Sequence, residues 1–144
     1  MVNHFDLSIN AAFRQLLAWI RNGLVKVLFA ATPCSSFSRA RRAPPWSRFP
    51  RQIRSATYPH GLPGLEGKDL DTCNLGNRLS KRAACLIKAA IECSVPGGEE
   101  NPKLSYIFDC HGRVSRQKLP SVHSVFLDQC AYGTPYRKST RIDF

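Results

Sequence analysis

Several patterns are missing from this 144-residue chain, and each absence removes a class of explanation. No Cys-x-x-Cys pair occurs among Cys34, Cys73, Cys85, Cys93, Cys110 and Cys130, so the spacing of most structural zinc sites is not there. No secretory signal accompanies the scattered thiols, which therefore read as reduced and the chain as intracellular. The apolar patch Leu16 to Ile20 is too short to span a membrane and lacks a small-residue cleavage pattern after it. There is no phosphate-binding glycine loop, no internal repeat and no extended low-complexity tract. Acid is scarce: 10 acidic residues stand against 21 basic ones, for a net charge of +11. A surface so charged draws phosphates, with nucleic acid the natural partner; the alternative is charge that merely keeps the protein solvated. The 43% hydrophobic content is ordinary and the length suits a single domain, residues 1–144, around one core.

What is present begins with Ser8, a candidate cap for a helix whose Ile9, Phe13, Leu16, Leu17 and Ile20 share one face and whose end Asn22-Gly23 marks. Val25 to Ala30 then reads as a buried strand that Pro33 stops. Cys34 thus sits at a strand's carboxyl end, the edge where open α/β sheets bind ligands. A thiol there, near several guanidinium groups, suits a nucleophile; otherwise it is a small buried hydrophobe. Residues 39–63 form an Arg/Pro-rich loop without one acidic residue, in which Arg39, Arg41, Arg42, Arg48, Arg51 and Arg54 alternate with prolines and with Trp46, Phe49 and Tyr58. Such interleaving suits a loop that grips phosphates and stacks bases, with a basic insert lacking that role as the alternative.

From Thr72 to Cys93, Leu75, Leu79, Ala83, Leu86 and Ala90 recur at helical spacing. Val95-Pro96-Gly97-Gly98 ends that helix, and Glu99-Glu100-Asn101-Pro102 reads as a turn presenting a carboxylate, or else as a solvated acidic loop. Leu104 to Phe108 suits a short helix and Val122 to Leu127 a strand, leading to a bend at Gly133 and Pro135. The basic residues beyond that bend face a phosphate or form a charged tail. Cys110, His111 and Cys130 are the residues a small metal-binding module would use, although no metal site is expected. The fold class is α/β: a mostly parallel sheet ending in an antiparallel hairpin, with the two long helices against it.

In order along the chain, Pro33-Cys34-Ser35-Ser36-Phe37-Ser38, Glu100-Asn101-Pro102 and Tyr132-Gly133-Thr134-Pro135-Tyr136-Arg137-Lys138 resemble three signature motifs of the DNA cytosine 5-methyltransferases. In that family a Pro-Cys-Gln-x-Phe-Ser loop carries the nucleophile, a Glu-Asn-Val segment the acid that recognises cytosine, and a Tyr-Gly-x-Pro-Gln hairpin leads into arginines near the target. The resemblance implies a partial Rossmann-like methyltransferase sheet. It implies Cys34 as the nucleophile on carbon 6 of a flipped cytosine, Glu100 as the group bonding the ring nitrogen and exocyclic amine, and Asn101 as the residue orienting that loop. It implies DNA contacts from Arg39, Arg41, Arg42, Trp46, Arg48, Arg137 and Lys138.

The cofactor implied is S-adenosylmethionine, with Asp6 (in His4-Phe5-Asp6-Leu7) and Pro33 as its contacts. Ser35, Pro102 and Tyr136 depart from the family pattern, which places the chain in a divergent branch. The glycine-rich turn that binds the cofactor is not found before Cys34. The expectation is therefore a truncated catalytic domain, incomplete alone, with an exposed sheet edge and apolar helix faces that a complementary chain supplying the missing strands would cover. The alternative is a basic nucleic-acid-binding protein without chemistry.

Overall fold

The computed structural model describes residues 6–41 and 50–144. Helix α1 (Asn10–Arg21) turns Phe13, Leu16, Leu17 and Ile20 inward, as their spacing requires. Its N-cap is Ile9, with no side-chain cap; Ser8 instead donates its backbone amide to Asp6 Oδ1 at 2.7 Å. At the other end Gly23 adopts φ 72°, and Gly23 N and Leu24 N donate to Ile20 O and Trp19 O at 3.1 and 3.0 Å, closing the helix as the Asn22-Gly23 pair foretells.

Strand β1 (Leu28–Ala31) is shorter than the Val25 to Ala30 run, because Val25 packs against the helices before the strand begins. Helix α2 (Gly67–Glu92) starts ahead of Thr72 and buries Gly76, Ser80, Ala83, Leu86, Ala89 and Ala90, a small-residue face that lets the sheet and α1 come close. Leu75, expected on that face, is exposed. Leu86, Ala89 and Ala90 meet Ile20 of α1, with Leu28 and Val95 closing the cluster.

The segment expected as an acidic turn is a strand, β2 (Gly97–Pro102), parallel to β1 with Ala31 opposite Glu100. Its glycines permit this: a Cβ on Gly97 would stand 1.8 Å from Leu28 O. After a 3-10 turn at Tyr106–Asp109 and a short helix α3 (His111–Arg116), strands β3 (Ser124–Asp128) and β4 (Ser139–Asp143) form an antiparallel pair. β4 inserts between β2 and β3, giving the order β1-β2-β4-β3. The basic stretch past Gly133 is therefore partly a central strand rather than a tail.

The fold is α/β, with flanking helices and a C-terminal antiparallel pair, but the sheet is mixed: only β1 and β2 run parallel. Leu28 packs on α1 and α2, and Glu99, at the level of Ala30, is bonded by Arg113 of α3, which also holds Ser80 of α2, so the helices line one sheet face. Phe29 points to the other face and is 57% exposed. Among the described residues, no helix is long and apolar enough to cross a membrane.

Candidate active site at the carboxyl end of the parallel strands

β1 leaves the sheet through Thr32 and Pro33 into a turn closed by Phe37 N donating to Cys34 O at 3.0 Å. Phe37 is fully buried beside Tyr106, Ile107 and Phe108, and Tyr106 N donates to Phe37 O at 3.0 Å, so the turn is anchored from behind. Arg54, 1% exposed, clamps it. Its Nε donates to Ser36 O at 3.1 Å, its Nη2 to Ser36 Oγ at 3.2 Å and Cys73 O at 3.0 Å, its Nη1 to Asn77 Oδ1 at 2.6 Å, and its guanidinium lies 3.8 Å above the Phe37 ring. Burial pushes this guanidinium below its ordinary pKa. Gly76 of α2 makes room, since a Cβ there would lie 2.3 Å from Ser36 Oγ. Cys34 ends up half-buried at the surface of this rigid turn, neither sealed in the core nor free of the protein.

Opposite, Asn101 is fully buried and donates from Nδ2 to Thr32 O at 2.7 Å and Glu100 O at 3.0 Å, bolting the ends of the two parallel strands together. Its Oδ1 is buried with no hydrogen-bond partner among the described residues. Glu100, partly exposed, accepts from Lys138 Nζ at 3.3 Å. The structure thus brings the Cys34 turn, Pro33, Glu100, Asn101 and Lys138 to one end of the sheet. Asp6 is held by the Ser8 backbone amide, which lowers its pKa, and stands one residue before Leu7.

Beneath this edge lies a residue the sequence did not single out. Glu99 is wholly buried; burial pushes its pKa up, and the hydrogen bonds and charge of Arg113, then Arg116, outweigh that and hold it below the ordinary value. Thr32 Oγ1 donates to Glu99 Oε1 at 3.1 Å, so the same network reaches β1. Neither Glu99, flanked by glycine and a second glutamate, nor Arg113, in a polar stretch, carries a sequence signal that would separate it from solvated charge.

Among the described residues, the arginines of the basic loop are committed to the protein itself. Arg39 pairs with Asp109 at 3.0 Å, bonds Leu104 O at 2.6 Å and lies 4.4 Å over the Tyr106 ring. Arg41 reaches Asp69 of α2 at 3.4 Å, and Arg51 also bonds Asp69. Arg42, Trp46 and Arg48 lie outside the described residues. Arg137 pairs with Asp128 at 3.0 Å while its side chain stays 76% exposed. Cys110 is buried, which pushes its thiol pKa up, and Cys130 is exposed on another turn; among the described residues no three metal-ligating side chains gather.

No family model, characterised protein or solved structure matches the chain. The chemistry rests on the site alone. A half-buried thiol, an accessible carboxylate, a lysine and an enclosed amide at one sheet end suit a planar polar ring with an electrophilic carbon. A sulfonium cofactor fits less well. The cleft nearest Pro33, about 190 Å³, is lined by Leu7, Leu16, Leu28, Leu79 and Leu86, and the hydroxyl of its Thr32 is committed to Glu99. Cofactor pockets are usually larger, at about 300–1,000 Å³, and present polar groups. These residues do not by themselves fit S-adenosylmethionine.

Proposed function

We propose that the chain is the cytosine-engaging half of a DNA cytosine 5-methyltransferase-like domain, its sheet the corresponding part of a Rossmann-like methyltransferase fold. One observation carries this reading: Cys34 and Glu100-Asn101 stand at the carboxyl ends of neighbouring parallel strands, tied by the 2.7 Å bond from Asn101 to Thr32 O. Convergence of two separate motifs on one end of a sheet is what a shared substrate requires.

The step assigned to these residues is addition to a cytosine turned out of the duplex. The Cys34 thiolate forms a bond to carbon 6, the carbon 5–carbon 6 π pair shifts to carbon 4–carbon 5, and the carbon 4–nitrogen π pair moves onto the ring nitrogen, which takes a proton drawn from water and passed on by Glu100. For this Glu100 exchanges its bond with Lys138 for one to the base. Lys138 is then free for a neighbouring phosphate, and Arg137 is placed for another. Methyl transfer is outside the reach of this chain alone, because its apolar cleft does not accommodate the donor. Six free thiols suit an intracellular setting.

The test is DNA carrying 2-pyrimidinone in place of cytosine, a ring whose carbon 6 accepts thiolates more readily. A denaturation-resistant adduct is expected with the native chain and none with Cys34→Ser. If no adduct forms while DNA is still bound, the protein is a basic nucleic-acid-binding protein without the chemistry, a reading supported by its +11 charge.

A further inference from the structure

Strand β1 ends the sheet. Leu28 N donates to Pro96 O at 3.0 Å and Leu28 stands opposite Gly97, so the amides and carbonyls of Leu28 and Ala30 turn toward β2. Those of Phe29 and Ala31 therefore turn outward, and no strand meets them among the described residues. The sheet face on the same side as the Phe29 ring carries none of the three α-helices and is exposed at Phe29 and Val125, while Thr140 on it is buried. Cross-strand register places Ala31, Glu100, Ile142 and Val125 on it with Phe29, and Phe29 and Val125 are 57% and 43% exposed, whereas α1, α2 and α3 serve the opposite face. Leu24 and Val27, on the approach to β1, are also exposed.

We infer that this edge and face receive a strand followed by a helix from a separate, acidic polypeptide. A strand laid along β1 would take up the outward groups of Phe29 and Ala31 and place alternate side chains in the apolar cleft between β1 and Leu7 and Leu16. A strand alone leaves Phe29 and Val125 in water; the helix covers them. A second copy of this chain is the poorer occupant. Pairing β1 with itself joins two chains of charge +11 and still leaves Phe29 exposed, while acid on the partner is complementary to that charge. This inference makes no use of Cys34, although Glu100 lies on the face that the helix would cover, so the two readings are separated by the Cys34→Ser variant and not by position.

The probe is a labelled acidic strand peptide, Glu-Glu-Val-Ile-Val-Ile-Val-Glu-Glu, alone and extended by a Gly-Gly turn into an acidic amphipathic helix. Binding is read by fluorescence anisotropy and by hydrogen exchange at the Phe29 and Ala31 amides. Expected are saturable binding, slowed exchange at those two amides, and at least about tenfold tighter binding of the extended peptide. Ala31→Pro removes an outward N–H and none of the β1–β2 bonds, a placement proline tolerates at sheet edges, and is expected to weaken binding at least about tenfold. Cys34→Ser is expected to bind as the native chain does, so failure of the adduct experiment and failure here are separable. Absence of binding, equal binding by Ala31→Pro, no gain from the helix, or equal binding of a peptide with lysines in place of glutamates would overturn the inference. So would a dimer of the chain alone that Ala31→Pro abolishes.

Discussion

Truncating Arg113 to alanine is expected to remove about 3–5 kcal/mol of folding stability, the range for stripping one partner from a buried ion pair. The geometry accounts for a cost of that order. Arg113 Nε and Nη2 donate to Glu99 Oε2 and Oε1 at 3.1 and 2.5 Å, while Nη1 donates to Ser80 O and Oγ at 2.8 and 2.6 Å. Without them a wholly buried carboxylate keeps only Arg116, at 2.9 Å, and Thr32 Oγ1, at 3.1 Å. That residual pairing puts the expectation at the lower end, about 3 kcal/mol, against a total of about 5–15 kcal/mol for a domain of this kind. Urea denaturation followed by circular dichroism reads it as a lower midpoint with an unchanged slope. The pH dependence is a second reading of the same network. Glu99 has its pKa depressed in the folded chain, so its contribution is complete above the unfolded carboxylate value of 4.5 and is lost as pH falls through the lower, folded value. Arg113→Ala shrinks the depression and moves the acid loss to higher pH, while Glu99→Gln flattens it. A cost below about 1 kcal/mol for Arg113→Ala, with an unshifted acid limb, would refute this account of the buried pair.

Gly76→Ala places a Cβ 2.3 Å from Ser36 Oγ and 2.9 Å from Arg54 Nη2; overpacking of about 1–3 kcal/mol is expected, read as a lowered Tm together with weaker Cys34-dependent adduct formation. Arg137→Ala leaves stability within about 0.5 kcal/mol, since its ion pair with Asp128 is exposed, and is expected to reduce the slope of log K against log salt for DNA binding by about one unit. An unchanged slope would remove Arg137 from the DNA contacts.

Local rules recover the elements whose residues act locally. α1 follows from an apolar stripe and a glycine stop, and the bend at Gly133, φ 93°, from a residue free to adopt it. β2 is opaque because its Gly-Gly-Glu-Glu-Asn-Pro run has no β-branched residue; what makes it a strand is a gap beside Leu28 that glycine alone fills and a distant pair of arginines waiting for Glu99. β4 is legible as the second arm of the expected antiparallel hairpin, but its place inside the sheet is not, because Arg141 is neutralised by Asp143 two residues on and laid 4.4 Å over the Phe108 ring. The basic loop misleads for the converse reason. Arg54 looks like its neighbours, yet it is a core residue, and Asp69, far away in sequence, is what gathers Arg41 and Arg51.

Thr32 joins the two halves of this molecule. Its carbonyl accepts from Asn101 and its hydroxyl donates to Glu99, so the last residue before the Cys34 turn is fixed both to β2 and to the ion network under α2 and α3. With Arg54 and Phe37 holding the turn from behind, the carboxyl end of β1 is tied at the carbonyl and hydroxyl of Thr32 and at Ser36. Among the described residues the long side of the same strand has no such ties: Phe29 and Ala31 offer their backbone outward, and the Phe29 ring is in water. Stiffness at the end and openness along the edge serve different purposes. A nucleophile needs the first, because a thiol displaced by about 1 Å from its electrophile costs about a hundredfold in rate. A strand that takes up a neighbour needs the second, because paired edges do not add strands. A variant that slackens Thr32, such as Asn101→Ala, should therefore disable the thiol while leaving strand capture intact, and Ala31→Pro should do the reverse.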